Sequence, residues 1–230
     1  MVPLNDENPT RTTPIVTYIL ITINVLVFIR QITLTPPQLE AFFRLYALVP
    51  RELTESFQGI SSNSSVPEYL TLVTSQFLHG SFTHIGFNML FLWVFGNNIE
   101  DRLGHVKYII FYITCGILAA LSQWIVSVMS EIPSLGASGA IAGVMGAYII
   151  KFPNARILTL IPLGFFFYTV RIPAVFFLGF WFVQQALNSL LSLQVPSDMQ
   201  MGGVAYWAHA GGFVFGAILG PLLGLFSRDG

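Results

Sequence analysis

The chain has 230 residues, of which 54% are hydrophobic and only 9% charged, against roughly 25% charged in an ordinary soluble domain, which excludes a soluble globular protein. Ten Lys and Arg against eleven Asp and Glu leave a net charge of −1, giving no electrostatic grip on nucleic acid, and the 14% aromatic content is the reverse of a disordered composition. The single cysteine, Cys115, has no second thiol for a disulfide or a zinc site, and no His/Cys/carboxylate cluster has ligand spacing, so neither a metal nor a cofactor is expected.

Charges divide the chain into six long neutral intervals, Thr12 to Ile29, Tyr69 to Ile99, Tyr108 to Ser130, Ile132 to Ile150, Ile172 to Ser197 and Met199 to Ser227. A helix crosses a hydrocarbon core of about 30 Å with roughly 20 apolar residues. The reading is an all-α integral membrane protein of six transmembrane helices, at about 14–30, 77–97, 108–129, 138–151, 173–192 and 203–225. These make one domain over 14–226, between tails at 1–13 and 227–230. Asp6 and Glu7 before the first span, and Arg30-Gln31-Ile32 after it, favour a retained span over a cleaved signal. The segment between Gln31 and Glu68 reads as an external loop with a short amphipathic piece near 39–49; Pro36-Pro37 and the serine-rich stretch after Ser61 are read as irregular. A seventh neutral interval, Ile157 to Val170, is short and interrupted by Pro162 and Gly164, and is expected to be interfacial or re-entrant.

Arg102, Lys107, Lys151 and Arg156 cluster in two connections, whereas those near 131–136 and 193–202 carry Glu131 and Asp198 and no basic residue. The positive-inside rule then puts the basic loops and both termini in the cytoplasm of a bacterial-type cell membrane. Spans two, four and six all run inward from the outer face.

Polar residues inside a bilayer are costly, so His84, Asn88, Ser138 and His209 stand out. Pro133-Ser134-Leu135-Gly136 delays the fourth helix until Ser138. Its length to Ile150, about 20 Å, falls about 10 Å short of the bilayer core, so the serine lies beneath the outer surface on a short, centrally placed helix. Counted from Phe77 and Gly203, His84 and His209 lie at about the same depth. Irregular backbone and polar groups at one level imply a wet pocket open to the outside. There a neutral imidazole can take a serine proton, and His84 and Asn88, four residues apart on one helix face, can both donate to an oxyanion. Gly139 with Gly143, and Gly212 with Gly216, form small-residue notches that let spans four and six pack closely. His79 and His105 read as structural, and Glu100-Asp101-Arg102 as a helix end with local ion pairs.

Three stretches, from Phe77-Leu78-His79-Gly80-Ser81-Phe82-Thr83-His84 to Asn88, Gly136-Ala137-Ser138-Gly139, and Ala208-His209-Ala210-Gly211-Gly212 to Gly216, resemble in order and placement the signatures of rhomboid intramembrane serine proteases. The likeness runs from about Thr13 to Phe226 and is to the basic six-helix bacterial form. It implies a Ser138–His209 dyad without an aspartate, an acyl-enzyme, and an oxyanion site of His84 and Asn88 with the backbone N–H groups of Ala137 and Ser138. It implies transmembrane protein substrates, cleaved near the outer face of the lipid bilayer, with no metal. Many members carry an aromatic residue four positions after the serine, where this chain has Ala142. Another group must therefore orient His209; Phe176, Phe177 and Phe180 are candidates, and an aromatic residue at 142 is expected to be accommodated. An inactive client-binding relative would most simply have lost Ser138 or His209, and a transporter would show polar groups across the whole bilayer; neither pattern is present.

Overall fold

The computed structural model describes residues 1–60, 65–164, 166–193 and 204–227. The stretch at 61–64, the loop holding Asp198, Gly203 as the start of the last span, and 228–230 of the C-terminal tail lie outside the described residues. Strand β1 (Val2–Asp6) is followed by helices α1 (Ile15–Ile32), α2 (Pro36–Tyr46), α3 (Pro50–Phe57) and α4 (Glu68–Thr74), then a 3-10 turn at Ser75–Phe77. Next come α5 (Phe82–Leu103), α6 (His105–Val126), α7 (Ser138–Lys151), β2 (Arg156–Leu163), β3 (Phe166–Pro173), α8 (Ala174–Ser192) and α9 (Tyr206–Leu222). By length and composition α1, α6 and α8 can each cross a membrane, and α7 is a shorter apolar helix of 14 residues.

Every residue of α7 from Gly139 to Tyr148 is buried, as a helix apolar on all sides must be. It is surrounded by α5, α6, α8 and α9. The approach to α9 is set by missing side chains: a Cβ on Gly212 would overlap the carbonyl oxygen of Gly139, and one on Gly216 that of Gly143. On the α6 side, a Cβ on Gly139 would lie 2.7 Å from that of Ala119, and one on Gly143 2.6 Å from that of Cys115.

The chain is mostly helical, and the expectation of an all-α fold is corrected by a sheet of order β1-β2-β3, antiparallel throughout. The interval read as interfacial or re-entrant forms the β2–β3 hairpin, and part of the segment read as a tail is β1. An apolar, β-branched run around Gly164 has the composition of a hairpin as well as of an interfacial segment, and pairing decides between them. β1 is tied down by Asp6, whose carboxylate Oδ2 accepts from Tyr148 Oη on α7 at 2.6 Å and from Asn98 Nδ2 on α5 at 2.8 Å. Burial pushes the Asp6 carboxyl up to about 6, against the opposing effect of these two hydrogen bonds.

Helix ends are decided by long-range partners. α1 has Pro14 at its N-cap and no side-chain cap of its own. Glu100, in the last turn of α5 and 0% exposed, accepts instead from the backbone N–H groups of Val16 and Thr17 at 2.8 Å each and from Thr17 Oγ1 at 2.7 Å. Asp101 accepts from the N–H groups of Arg11 and Thr12 at 3.1 and 2.8 Å. These two carboxylates thus clasp the start of another helix, beyond the local ion pairing expected of them. Pro36-Pro37, expected to be loop, opens α2, because proline is compatible with a first helical turn.

The hydropathy pattern places the second span from 77 to 97, but Leu78 is extended and Ser81 starts a new helix by accepting the His84 N–H at 3.1 Å. Glycine followed by serine, Gly80-Ser81, is the N-cap signal that a hydropathy count passes over. His84 is therefore the third residue of α5, and His209 the fourth of α9, both in first helical turns. Their helical rise is about 3 and 5 Å rather than about 10 Å.

Candidate active site

α7 begins at Ser138 with Ala137 as its N-cap. Gly136, at φ +126°, turns the backbone into the helix through a conformation open chiefly to glycine. Its N–H donates to the Ser75 carbonyl at 2.9 Å. Two residues earlier, Ser134 and Leu48 exchange backbone hydrogen bonds of 2.7 and 3.0 Å, and Arg51 N–H reaches the Ser130 carbonyl at 3.0 Å. Thr54 Oγ1 donates to the Val128 carbonyl at 2.7 Å. The α2–α3 segment thus supplies partners for an irregular stretch that could not satisfy its own backbone.

The notches on α7 and α9 place His209 beside this helix start. Its Nε2 is 2.7 Å from Ser138 Oγ. On the other side of the ring, Nδ1 is 2.9 Å from Gln185 Oε1 on α8. The Trp181 indole lies at a centroid separation of 5.8 Å and 34° to the imidazole. Ser138 and His209 are half-buried, so the contact is sheltered but can be reached. An imidazole in this position can accept the hydroxyl proton as the oxygen attacks an electrophile.

His84 is brought to the same place. A side chain on Gly136 would meet His84 Nε2 at 2.8 Å and Ser138 Oγ at 3.7 Å, so both atoms border that glycine. His84 Nδ1 accepts from the Gly80 N–H at 3.4 Å, which leaves Nε2 as the proton-bearing nitrogen, facing Gly136. Asn88, one turn along α5, is 7% exposed, and its Nδ2 has no hydrogen-bond partner among the described residues. A buried unpaired donor is rare and needs an explanation. Ala137 is fully buried; the first N–H groups of α7 have no partner within the helix.

Sequence reasoning missed three neighbours. Gln185 and Trp181 contact the imidazole; Phe176, Phe177 and Phe180, expected in that place, have no ring contact with it among the described residues. The signal was present, because Gln184-Gln185 are polar residues in an apolar interval and the rule applied to His, Asn and Ser covers them equally. The third is His79, whose ring packs edge-on against His84 at 5.0 Å. Its backbone is clamped by the Gln31 side chain through hydrogen bonds of 2.7 and 3.1 Å. Ala142 is 0% exposed, so an aromatic ring at that position would have to displace packed neighbours.

A family model described as Rhomboid domain matches residues 66–226. The chain is 29% identical over 208 residues to Rhomboid protein 1, mitochondrial, of Saccharomyces cerevisiae, covering 88% of this chain and 51% of that protein. To the rhomboid protease GluP of Bacillus subtilis it is 30% identical over 173 residues, covering 74% and 30%. To Presenilin-associated rhomboid-like protein A, mitochondrial, of Danio rerio it is 30% identical over 164 residues, covering 68% and 38%. The chain spans about half or less of the length of these relatives.

Proposed function

Because the chain belongs to the rhomboid family, we propose that it is an intramembrane serine endopeptidase acting on transmembrane proteins near the outer face of the bilayer. The carrying observation is the 2.7 Å contact between Ser138 Oγ and His209 Nε2 at the start of a short buried helix. The similarity to a relative named a rhomboid protease supports the same reading.

In this reading α1, α5, α6, α7, α8 and α9 are the six crossings, and the termini and basic loops face the cytoplasm of a bacterial-type membrane. Two of the relatives are mitochondrial by name; the chemistry is the same in either membrane. α7 is about 21 Å long, so with Lys151 at the inner surface Ser138 lies about 10 Å beneath the outer one.

The hydroxyl proton of Ser138 passes to His209 Nε2 as Oγ bonds to the substrate carbonyl carbon and the C=O pair moves onto oxygen. The oxyanion is met by His84 Nε2–H, the unpaired Asn88 Nδ2 and the N–H groups of Ala137 and Ser138, a donor set that stabilises charge only as it develops. Collapse re-forms the carbonyl and breaks the C–N bond, and His209 returns the proton to the leaving amine. Water, deprotonated by His209, then attacks the acyl-enzyme and releases the second product and Ser138. Nothing in this sequence calls for a metal or cofactor.

The test is cleavage of a transmembrane model substrate in proteoliposomes, with fluorophosphonate labelling alongside. Ser138→Ala and His209→Ala are expected to abolish cleavage, and Ser138→Ala to abolish labelling. His84→Ala and Asn88→Ala, each removing one of several donors, should lower turnover by about 10- to 100-fold. Labelling and cleavage that persist in Ser138→Ala would refute the proposal.

A further inference from the structure

We propose that Gln185 is the positioning residue of the His209 base: its side-chain oxygen holds the imidazole in the Nδ1–H form, and Trp181, one turn earlier on α8, fixes the plane of the ring. This rests on the reading of Ser138 and His209 given above.

A neutral imidazole has one N–H and one lone pair. His209 can take the Ser138 proton only when the lone pair is on Nε2, the nitrogen 2.7 Å from Oγ. The Nε2–H form would face the hydroxyl with a donor and leave its proton without an acceptor. The form that works therefore needs an acceptor at Nδ1, and Gln185 Oε1 stands there at 2.9 Å. A histidine's role is set by what its other nitrogen bonds, and here that partner is an uncharged amide.

Gln185 is 8% exposed on a helix long and apolar enough to span a membrane. A buried amide there is costly unless it is bonded, and the bond found for its side-chain oxygen is the one to His209. Its neighbour Gln184 is exposed, so burial singles out one of the two glutamines. Trp181 and Gln185 are four residues apart and share a face of α8, so one helix supplies both the ring contact and the hydrogen bond. With Ala142 buried in the packed core, both the contacts that aim the base come from α8. An amide also orients the ring without adding negative charge. An aspartate or glutamate in its place would stabilise the imidazolium and hold the base protonated to higher pH.

The experiment uses the full chain in proteoliposomes and compares wild type with Gln185→Ala, Gln185→Glu, Gln184→Ala and Ser138→Ala. In Gln185→Ala, kcat is expected to fall about tenfold or more, the scale of one lost neutral hydrogen bond plus the loss of the fixed tautomer. KM should stay within about twofold, and phosphonate labelling should slow by the same factor as kcat. Gln185→Glu retains an acceptor but adds charge, so the acid limb of the kcat/KM profile should move up by about one pH unit. Gln184→Ala should match wild type.

Wild-type kcat and labelling in folded Gln185→Ala would overturn the inference, as would an unshifted acid limb in Gln185→Glu. The acid limb decides alone if the alanine variant does not fold. Where Ser138→Ala is inactive but Gln185→Ala behaves as wild type, only this inference fails. Cleavage surviving in Ser138→Ala overturns the reading of the site and this inference with it.

Discussion

Placing a methyl group on Gly212 tests whether the close approach of α7 and α9 is what makes the serine–histidine contact. The added Cβ would sit inside the van der Waals envelope of the Gly139 carbonyl oxygen and 3.2 Å from Ala119 Cβ, so it meets backbone on one side and a helix wall on the other. Backbone cannot swing aside as a flexible side chain would, and restoring ordinary contact requires α9 to move by about 1 Å. Overpacking of this kind costs about 1–3 kcal/mol, which a bundle this well buried should survive. The effect on chemistry is larger. His209 lies one turn before Gly212 on α9 and one atom contact from Ser138, at 2.7 Å. A shift of about 1 Å takes that distance past the hydrogen-bonding range, and a misplacement of that size costs about a hundredfold in rate. Gly212→Ala is therefore expected to fold, with a modestly lowered unfolding midpoint, and to lose about a hundredfold in kcat with little change in KM. Turnover in proteoliposomes and thermal unfolding in detergent measure the two quantities separately. A folded Gly212→Ala variant with kcat within threefold of wild type would show that the α7–α9 spacing does not set the contact.

Ala142→Phe is expected to reverse the idea that an aromatic there would help: with Ala142 fully buried, the ring should overpack the core by about 1–3 kcal/mol and displace His209. Unchanged melting with wild-type turnover would contradict this. Glu100→Gln keeps the shape of the side chain but turns one of the two oxygens that receive Val16 and Thr17 into an NH2 group. A loss of about 3 kcal/mol is expected, read from unfolding in mixed micelles and from faster amide exchange in the first turn of α1; wild-type exchange would refute the capping role. The Asp6 carboxyl, raised to about 6 by burial, holds its proton more firmly in the docked strand than in the free chain. Its contribution to docking is complete below about pH 4 and is lost as pH rises through about 6. Amide exchange across Val2–Asp6, corrected for intrinsic rates, should therefore speed up between pH 5 and about pH 7, and the pH dependence should vanish in Asp6→Asn.

Membrane residence and the choice of Ser138, His209, His84 and Asn88 as candidates are legible in the sequence for one reason. A bilayer makes every polar side chain within it expensive, so those that remain stand out against a neutral background without any knowledge of contacts. Gln185 escapes notice because nothing local tells which of Gln184 and Gln185 is turned inward, and because its partner is 24 residues away. The residues that hold the fold's edges are less visible still. Glu100 caps a helix 83 residues earlier, and Asp6 bonds a tyrosine 142 residues later. No local pattern encodes either, since each looks like an ordinary charge at a helix end or in a tail. The β2–β3 hairpin differs from an interfacial apolar segment only in what pairs with it. Local composition thus determines which segments leave water and which side chains are costly there. Tertiary structure decides which helix start receives which carboxylate, where α5 and α9 begin, and which neighbour aims the histidine, because those depend on groups that meet only when the chain is packed.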